Sequence, residues 1–197
     1  MSLSIAEVKI LRKQLRKQRR QLSSFEQKQA AAQLLQRVRR LPQFKSARNV
    51  GLYLHAFGEI ETHALIDLCF KWAKAVYLPQ VSPTRFGLRW IKITRNQWQN
   101  RRFSWHPLGM QEPKQRGKNV QCLDLLILPL LGCDSRGTRL GMGGGFYDRT
   151  LQLAHQSPYR LGIAHDFQYL SKTVPRQVWD QALHGLCTPQ RYYKFKS

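Results

Sequence analysis

Apolar side chains at Val8, Leu11, Leu15 and Leu22, with Gln18 completing the spacing, recur every three or four positions and predict an amphipathic helix near the start of the chain. Arg12, Arg16 and Arg19 flank that stripe, at a border between core and solvent from which a charge can reach into a cleft. Lys9, Lys13, Lys17 and Arg20 point the other way and read as a solvated face. The pattern breaks at "LSSFEQ", where Ser23 followed by Glu26 forms a capping box for a second helix running to about Arg40. "LPQF" ends it. Residues 49–56 (NVGLYLHA) read as a buried strand, and Thr62 caps a helix within 61–74. Strands follow at 75–81 (AVYLPQV) and, with alternation, at 86–93 (FGLRWIKI). Residues 94–121 are polar, aromatic and irregular. The most apolar run, LDLLILPLL (123–131), predicts a central strand. A glycine-rich loop then leads into a helix over 146–156, a strand follows at 159–165, and the stretch 178–189 closes the sheet.

Strands alternating with helices predict an α/β fold. The expected architecture is a single three-layer, open, mostly parallel sheet flanked by helices, Rossmann-like, with the basic helices of residues 5–40 packed on it. A chain of 197 residues suits one domain, 1–197. Ligands of such a sheet sit at its carboxyl edge.

Charge changes the picture. The chain holds 33 basic and 11 acidic residues, a net +22, and half of that excess lies in residues 1–49. Such a balance suits a polyanion: nucleic acid, an acidic membrane surface, or phosphorylated and polycarboxylate small molecules. No apolar run approaches the roughly 20 residues of a membrane span. The N-terminal residues lack a secretory apolar block and cleavage site. Cys69, Cys122, Cys133 and Cys187 form no C-x-x-C pair and read as idle thiols of a reducing cytoplasm.

Candidate chemistry concentrates in "RLGMGGGFYDR", residues 139–149. It is not a P-loop, because no Lys-Ser or Lys-Thr follows the glycines. A dinucleotide fingerprint fails because Phe146 stands where the third glycine belongs. Gly143, Gly144 and Gly145 nevertheless lead into a helix, where open amides attract anions. Arg139 and Arg149 flank them as partners for phosphate oxygens. Asp148 has two readings: an acid complementing the helix dipole, or a ligand for Mg²⁺ held between carboxylate and phosphate. A structural glycine turn is the alternative for the loop as a whole. His55, His165 and His184 lack a carboxylate–His–nucleophile spacing and read as structural.

The stretch "RGTRLGMGGGFYDRTL" resembles the signature of the 5-formyltetrahydrofolate cyclo-ligase family, R-L-G-x-G-G-G-[YF]-Y-D-R in its bacterial form. "VKILR" resembles the family's K-x-x-L-R, with Leu11 and Arg12 in place, Val8 at the Lys position and Lys9 beside it. "GEIET" with Glu59, "GIAHDFQ" and "VWDQALHGLCTP" with Asp180 follow in the family's order. The resemblance implies an ATP- and Mg²⁺-dependent ligase that converts 5-formyltetrahydrofolate to 5,10-methenyltetrahydrofolate, ADP and phosphate. It implies ATP contacts at Lys9, Arg12, Arg139, Leu140, Gly141, Met142, Gly143, Gly144, Gly145, Phe146 and Tyr147. Leu54, Glu59, Gly144, Gly145 and Phe146 would line the folate site, and Asp148 and Asp180 would hold Mg²⁺. Phe146 and Tyr147 can stack on a ligand ring or sit in the core. A cytoplasmic monomer acting on small molecules, with no membrane partner and no requirement for nucleic acid, goes with this reading. Two rivals remain at this level: a basic nucleic-acid-binding protein, and an ATP-binding paralogue with another substrate.

Overall fold

The structure is a computed structural model, and it describes residues 2–82, 87–109, 111–154, 156–177 and 179–195. Phe86, His155 and Val178, which belong to the predicted strand, helix and closing stretch, lie outside the described residues.

Two capped helices open the fold. α1 (Ile5–Gln21) starts at a capping box between Ser4 and Glu7, and α2 (Ser24–Val38) at the one predicted between Ser23 and Glu26. The Pro of "LPQF" does not simply stop α2. It begins the short helix α3 (Pro42–Ser46), where its fixed φ and missing N–H cost nothing. The chain then alternates: β1 (Asn49–Gly51), α4 (His63–Lys71), β2 (Ala75–Val81), β3 (Leu88–Ile93), α5 (Arg95–Gln99), the small hairpin β4 (Ser104–Trp105) and β5 (Gln111–Glu112), then β6 (Leu125–Leu128). The two-stranded ribbon β7 (Gly132–Cys133) and β8 (Arg139–Leu140), α6 (Phe146–Leu151), β9 (Tyr159–Ile163), β10 (Gly185–Cys187) and β11 (Tyr192–Lys194) complete it. The hairpin, α5 with its Thr94–Gln97 capping box, and β11 fall in stretches without a readable period.

One seven-stranded sheet runs β11-β10-β9-β6-β1-β2-β3. β10, β9, β6, β1 and β2 are parallel, and the antiparallel strands β3 and β11 form the edges. β6 is the middle strand, and all four of its residues are buried. Leu125 and Ile127 pack with α2, α3 and α4 on one face; Leu126 and Leu128 pack with Leu151 of α6 and Phe195 on the other. Burial on both faces explains the unbroken apolar run, and each such Leu contributes about 1.5–3 kcal/mol. Strand order reverses between β1 and β6: from β1 the chain moves to β2 on one side, then crosses to β6 on the other. Their carboxyl ends therefore diverge into a crevice.

Several expected elements are shorter than their apolar runs, three of them instructively. The strand expected over 49–56 ends at Gly51; Leu52 still donates to Tyr77 O, but Thr62 Oγ1 donates to Tyr53 O (2.7 Å) and draws the chain into a loop. That bond also leaves Thr62 at the start of α4 without a side-chain cap. β6 stops before Pro129, and α6 is six residues long rather than reaching 156. On α1 the buried positions are Val8, Leu15 and Arg19. Gln18 is exposed, and Arg19, expected at the border of the stripe, is fully enclosed. Among the described residues no helix is long and apolar enough to cross a membrane.

Candidate functional site

A cleft of about 620 Å³ opens beyond the carboxyl ends of β1, β2 and β6. α1 supplies Val8 and Arg12, the loop after β1 supplies Tyr53, Leu54 and Glu59, and the exit of β6 supplies Pro129 and Leu130. The 139–148 stretch lines it from Arg139 to Asp148, and the tail brings in Trp179 and Asp180. Arg12, Leu54, Glu59, Arg139, Leu140, Gly141, Met142, Gly143, Gly144, Gly145, Phe146, Tyr147, Asp148 and Asp180 are thus brought together. Lys9 is not among the lining residues; it is exposed on α1, while its neighbour Val8 faces the cleft. His55, His165 and His184 do not line it either. Tyr53, Gln111, Glu112 and Trp179 line it without having been singled out from sequence. For Trp179 a signal existed, since it directly precedes Asp180; for Gln111 and Glu112 the irregular 94–121 stretch offered none.

The glycine loop is braced from both ends. Arg12 Nε donates to Gly141 O (3.2 Å), and Arg149 Nη2 donates to Gly144 O (2.9 Å). Arg149 therefore supports the loop from outside; it is exposed and does not line the cleft. Gly143 has φ +102° with open space where a Cβ would stand, so glycine is there for backbone angle rather than for room. With only six residues, α6 adds little dipole, and any anion held here depends chiefly on guanidinium groups and loop amides.

Arg139 pairs in a close contact with Asp148, and its guanidinium lies 5.4 Å from the centre of the Tyr147 ring. Its side chain is 5% exposed, and Nε is buried with no hydrogen-bond partner among the described residues. Arg139 is nevertheless a lining residue of the cleft, so its guanidinium stands beside any anion that enters.

Glu59 occupies a different setting. Its Oε2 accepts the Ala56 N–H (3.0 Å), and its Oε1 lies 3.6 Å from Arg19 Nη1. Burial pushes the Glu59 carboxyl above its usual range, opposed by Arg19 and by the Ala56 hydrogen bond. Burial likewise raises the Tyr53 and Tyr147 phenols, so both stay neutral hydrogen-bonding groups. The remaining lone pairs of Glu59 suit a pair of ligand N–H donors.

For a metal, Asp148 and Asp180 both line the cleft; Asp180 Oδ2 accepts the Gln177 N–H (2.9 Å). Among the described residues no group of three or more His, Cys, Asp or Glu side chains would hold a cation unaided. Asp148 is paired with Arg139, and no ion pair is shown for Asp180 among the described residues.

Comparison with known proteins agrees with this geometry. The family model described as "5-formyltetrahydrofolate cyclo-ligase family" matches residues 4–189. A 5-formyltetrahydrofolate cyclo-ligase of Escherichia coli K12 is 35% identical over 185 residues, covering 92% of this chain and 100% of that one. Its counterpart in Haemophilus influenzae is 36% identical over 181 residues, covering 89% and 94%. The solved structure of Aquifex aeolicus 5,10-methenyltetrahydrofolate synthetase superposes with a TM-score of 0.82 at 26% identity, covering 96% of this chain and 93% of that one. The match spans both the glycine loop and the Glu59 loop, and the chain belongs to the 5-formyltetrahydrofolate cyclo-ligase family, a family of ligases.

Proposed function

We propose that this protein closes 5-formyltetrahydrofolate to 5,10-methenyltetrahydrofolate at the expense of ATP, with Mg²⁺. The observation that carries the reading is the Arg139–Asp148 pair and the glycine loop lining the same cleft as the Glu59 carboxylate. One side is built for phosphate and a cation, the other for the N–H edge of a heterocycle.

The formyl oxygen attacks the γ-phosphorus, and the bond to the ADP oxygen breaks. The N10 lone pair then adds to the formyl carbon of the resulting imidate phosphate. The carbon–oxygen bond breaks, phosphate leaves, and the N10 proton passes to solvent. Arg139 and Arg12 hold phosphate oxygens and keep the γ-phosphoryl group against the formyl oxygen, since positioning and charge neutralisation account for most of the catalysis of phosphoryl transfer. Asp148 and Asp180 would hold Mg²⁺, which supplies further neutralisation of the phosphates. Glu59 accepts hydrogen bonds from the pterin amide edge, and Leu54, Phe146 and Tyr147 enclose the ring. A reaction drawing on ATP and a reduced folate goes with a cytoplasmic location.

The test is absorbance in the methenyl-folate band with protein, 5-formyltetrahydrofolate and Mg-ATP, each omitted in turn. A rise that needs all of them supports the reading. No rise in folded protein that still binds ATP assigns the cleft to another substrate.

A further inference from the structure

Arg19 is the feature of α1 that helix periodicity does not explain. An arginine in the last turn of a surface helix is ordinarily solvated, with its charge favoured by the helix dipole. Here the side chain is 0% exposed. Each of its nitrogens is engaged. Nε donates to Phe57 O (2.9 Å), Nη1 donates to Leu130 O (3.3 Å) and lies 3.6 Å from Glu59 Oε1, and Nη2 lies 3.8 Å from Met142 Sδ. The contacts reach the loop after β1, the exit of β6 and the glycine loop. Burying a cation is costly, and neutral carbonyls alone could be met by a neutral donor. The charge is accounted for by Glu59, whose carboxylate is nearly enclosed in the same place.

The loop is shaped around this contact. Gly58 has φ +76°, and a Cβ there would lie 2.5 Å from the Arg19 carbonyl oxygen. Phe57 also takes a positive φ, 53°, which is strained for a side chain of that size. His165 Nε2 lies 3.2 Å from Gly58 O and holds the turn from the other side. The Phe57–Glu59 turn is therefore pressed onto the last turns of α1, with the guanidinium beneath the carboxylate.

We propose that Arg19 is a positioning residue of this site: locked to the Phe57 and Leu130 carbonyls, its guanidinium fixes the Glu59 carboxylate in the orientation that receives the substrate's N–H edge. The proposal rests on the folate reading of the cleft and adds to it a residue outside the lining set. With Ala56 N–H on Oε2 and Arg19 beside Oε1, the carboxylate has little freedom to turn, which keeps the entropic cost of binding low. The charged and titratable groups around Glu59 are Arg19 of α1, Tyr53 of its own loop and Tyr147 of α6; of these, Arg19 lowers the carboxyl's affinity for a proton.

The test uses full-length protein labelled with carboxyl-¹³C glutamate. The chain has five glutamates, and Glu59→Gln identifies the Glu59 signal. In Arg19→Met the Glu59 titration moves upward by about one pH unit or more, and 5-formyltetrahydrofolate affinity falls about tenfold or more while Mg-ATP affinity stays within about twofold. In Arg19→Lys the charge remains but the fork does not. Titration then stays near the wild-type midpoint while folate affinity still falls about tenfold. Added to Glu59→Gln, Arg19→Met costs no further folate affinity. An unmoved Glu59 titration in Arg19→Met, wild-type folate affinity in Arg19→Lys, or additive losses in the double variant overturns the proposal. The carboxyl titration needs no substrate. If wild-type protein binds no folate, the folate reading falls, while the upward shift or its absence still decides whether Arg19 governs Glu59.

Discussion

Two arginine–carboxylate pairs serve the cleft, one lining it and one with its arginine behind the wall, and they differ in almost every physical respect. Arg139 and Asp148 lie nine residues apart in sequence, in direct contact, with the carboxylate 29% exposed. Arg19 and Glu59 come from distant segments, 3.6 Å apart, with both side chains nearly or fully enclosed. Arg139 keeps an open buried Nε, whereas Arg19 is tied down at every nitrogen. In the proposed reaction the first pair would exchange: an arriving phosphate would take the guanidinium, and the carboxylate released would take a cation. The second is built to hold still, because a buried pair that loses one member strands the other charge. A site that must admit a mobile, highly charged co-substrate and also read a flat heterocycle needs both kinds.

The largest expected effect breaks the exchangeable pair. Arg139→Ala removes the guanidinium from the phosphate side and should lower kcat/KM by about 10³-fold, within the range seen for arginines serving phosphoryl transfer. Asp148→Asn should act similarly, since an amide is a poor Mg²⁺ ligand, and raising Mg²⁺ should recover part of its loss but none of that of Arg139→Ala. Steady-state rates across a Mg²⁺ series check this; equal rescue of both variants would place Asp148 away from the cation.

Glu59→Gln sharpens the contrast from the other side. It keeps the shape but replaces a charged acceptor, worth about 1.5–3 kcal/mol to a hydrogen bond, so folate affinity should fall by roughly 10- to 100-fold. Nucleotide affinity should stay within about twofold, measured by calorimetry with a non-hydrolysable ATP analogue. A comparable loss for both ligands would mean that the two pairs do not serve separate ligands.

A smaller effect comes from a third buried arginine, remote from the cleft. Arg160 donates its backbone N–H to His184 Nδ1 (2.8 Å) and its Nε to Ala182 O (2.7 Å). Burial, with Arg160 adding to it, pushes the His184 imidazole from 6.5 down to about 4. As pH falls, the unfolded chain takes up this proton first. The contribution is therefore complete above about pH 6.5 and is lost as pH drops toward about 4. His184→Gln should lose less melting temperature than wild type between about pH 7 and about pH 5, read by circular dichroism. An equal loss would assign the acid sensitivity to other groups.

The legible parts of this molecule are those whose environment is uniform along the chain. β2 matches the bounds of its apolar run, and β6 is buried on both faces, so residue type alone announces it. The glycine loop is legible for a different reason: glycines, arginines and an acid in that order have few other uses. The loop after β1 was hidden because its apolar residues continue those of the strand without a break. What ends the strand is tertiary, the Thr62 hydroxyl on Tyr53 O and the approach of Gly58 to the α1 backbone. Arg19 was hidden because periodicity assigns a charge to the surface unless its partners are known. Those partners, Glu59 and the carbonyls of Phe57 and Leu130, lie 38 or more residues away along the chain.

The smallest expected effect concerns the lysine that the family pattern places on α1. Val8 stands at that position and is 7% exposed, packed with Leu131, Leu140 and Val174. Lys9, one residue on, is rotated about 100° around the helix and is exposed. Lys9 does not line the cleft, so its expected action there is that of a screened charge. Lys9→Ala should change the KM for ATP by less than about twofold at physiological salt, with any difference growing at low salt. Val8→Lys restores the pattern and aims an ammonium at the cleft, at the cost of burying it against the apolar cluster around Leu140. If it lowers the KM for ATP, the exchangeable side of the site has room for another cation; if it only lowers the melting temperature, Arg12 and Arg139 already meet the phosphates without it.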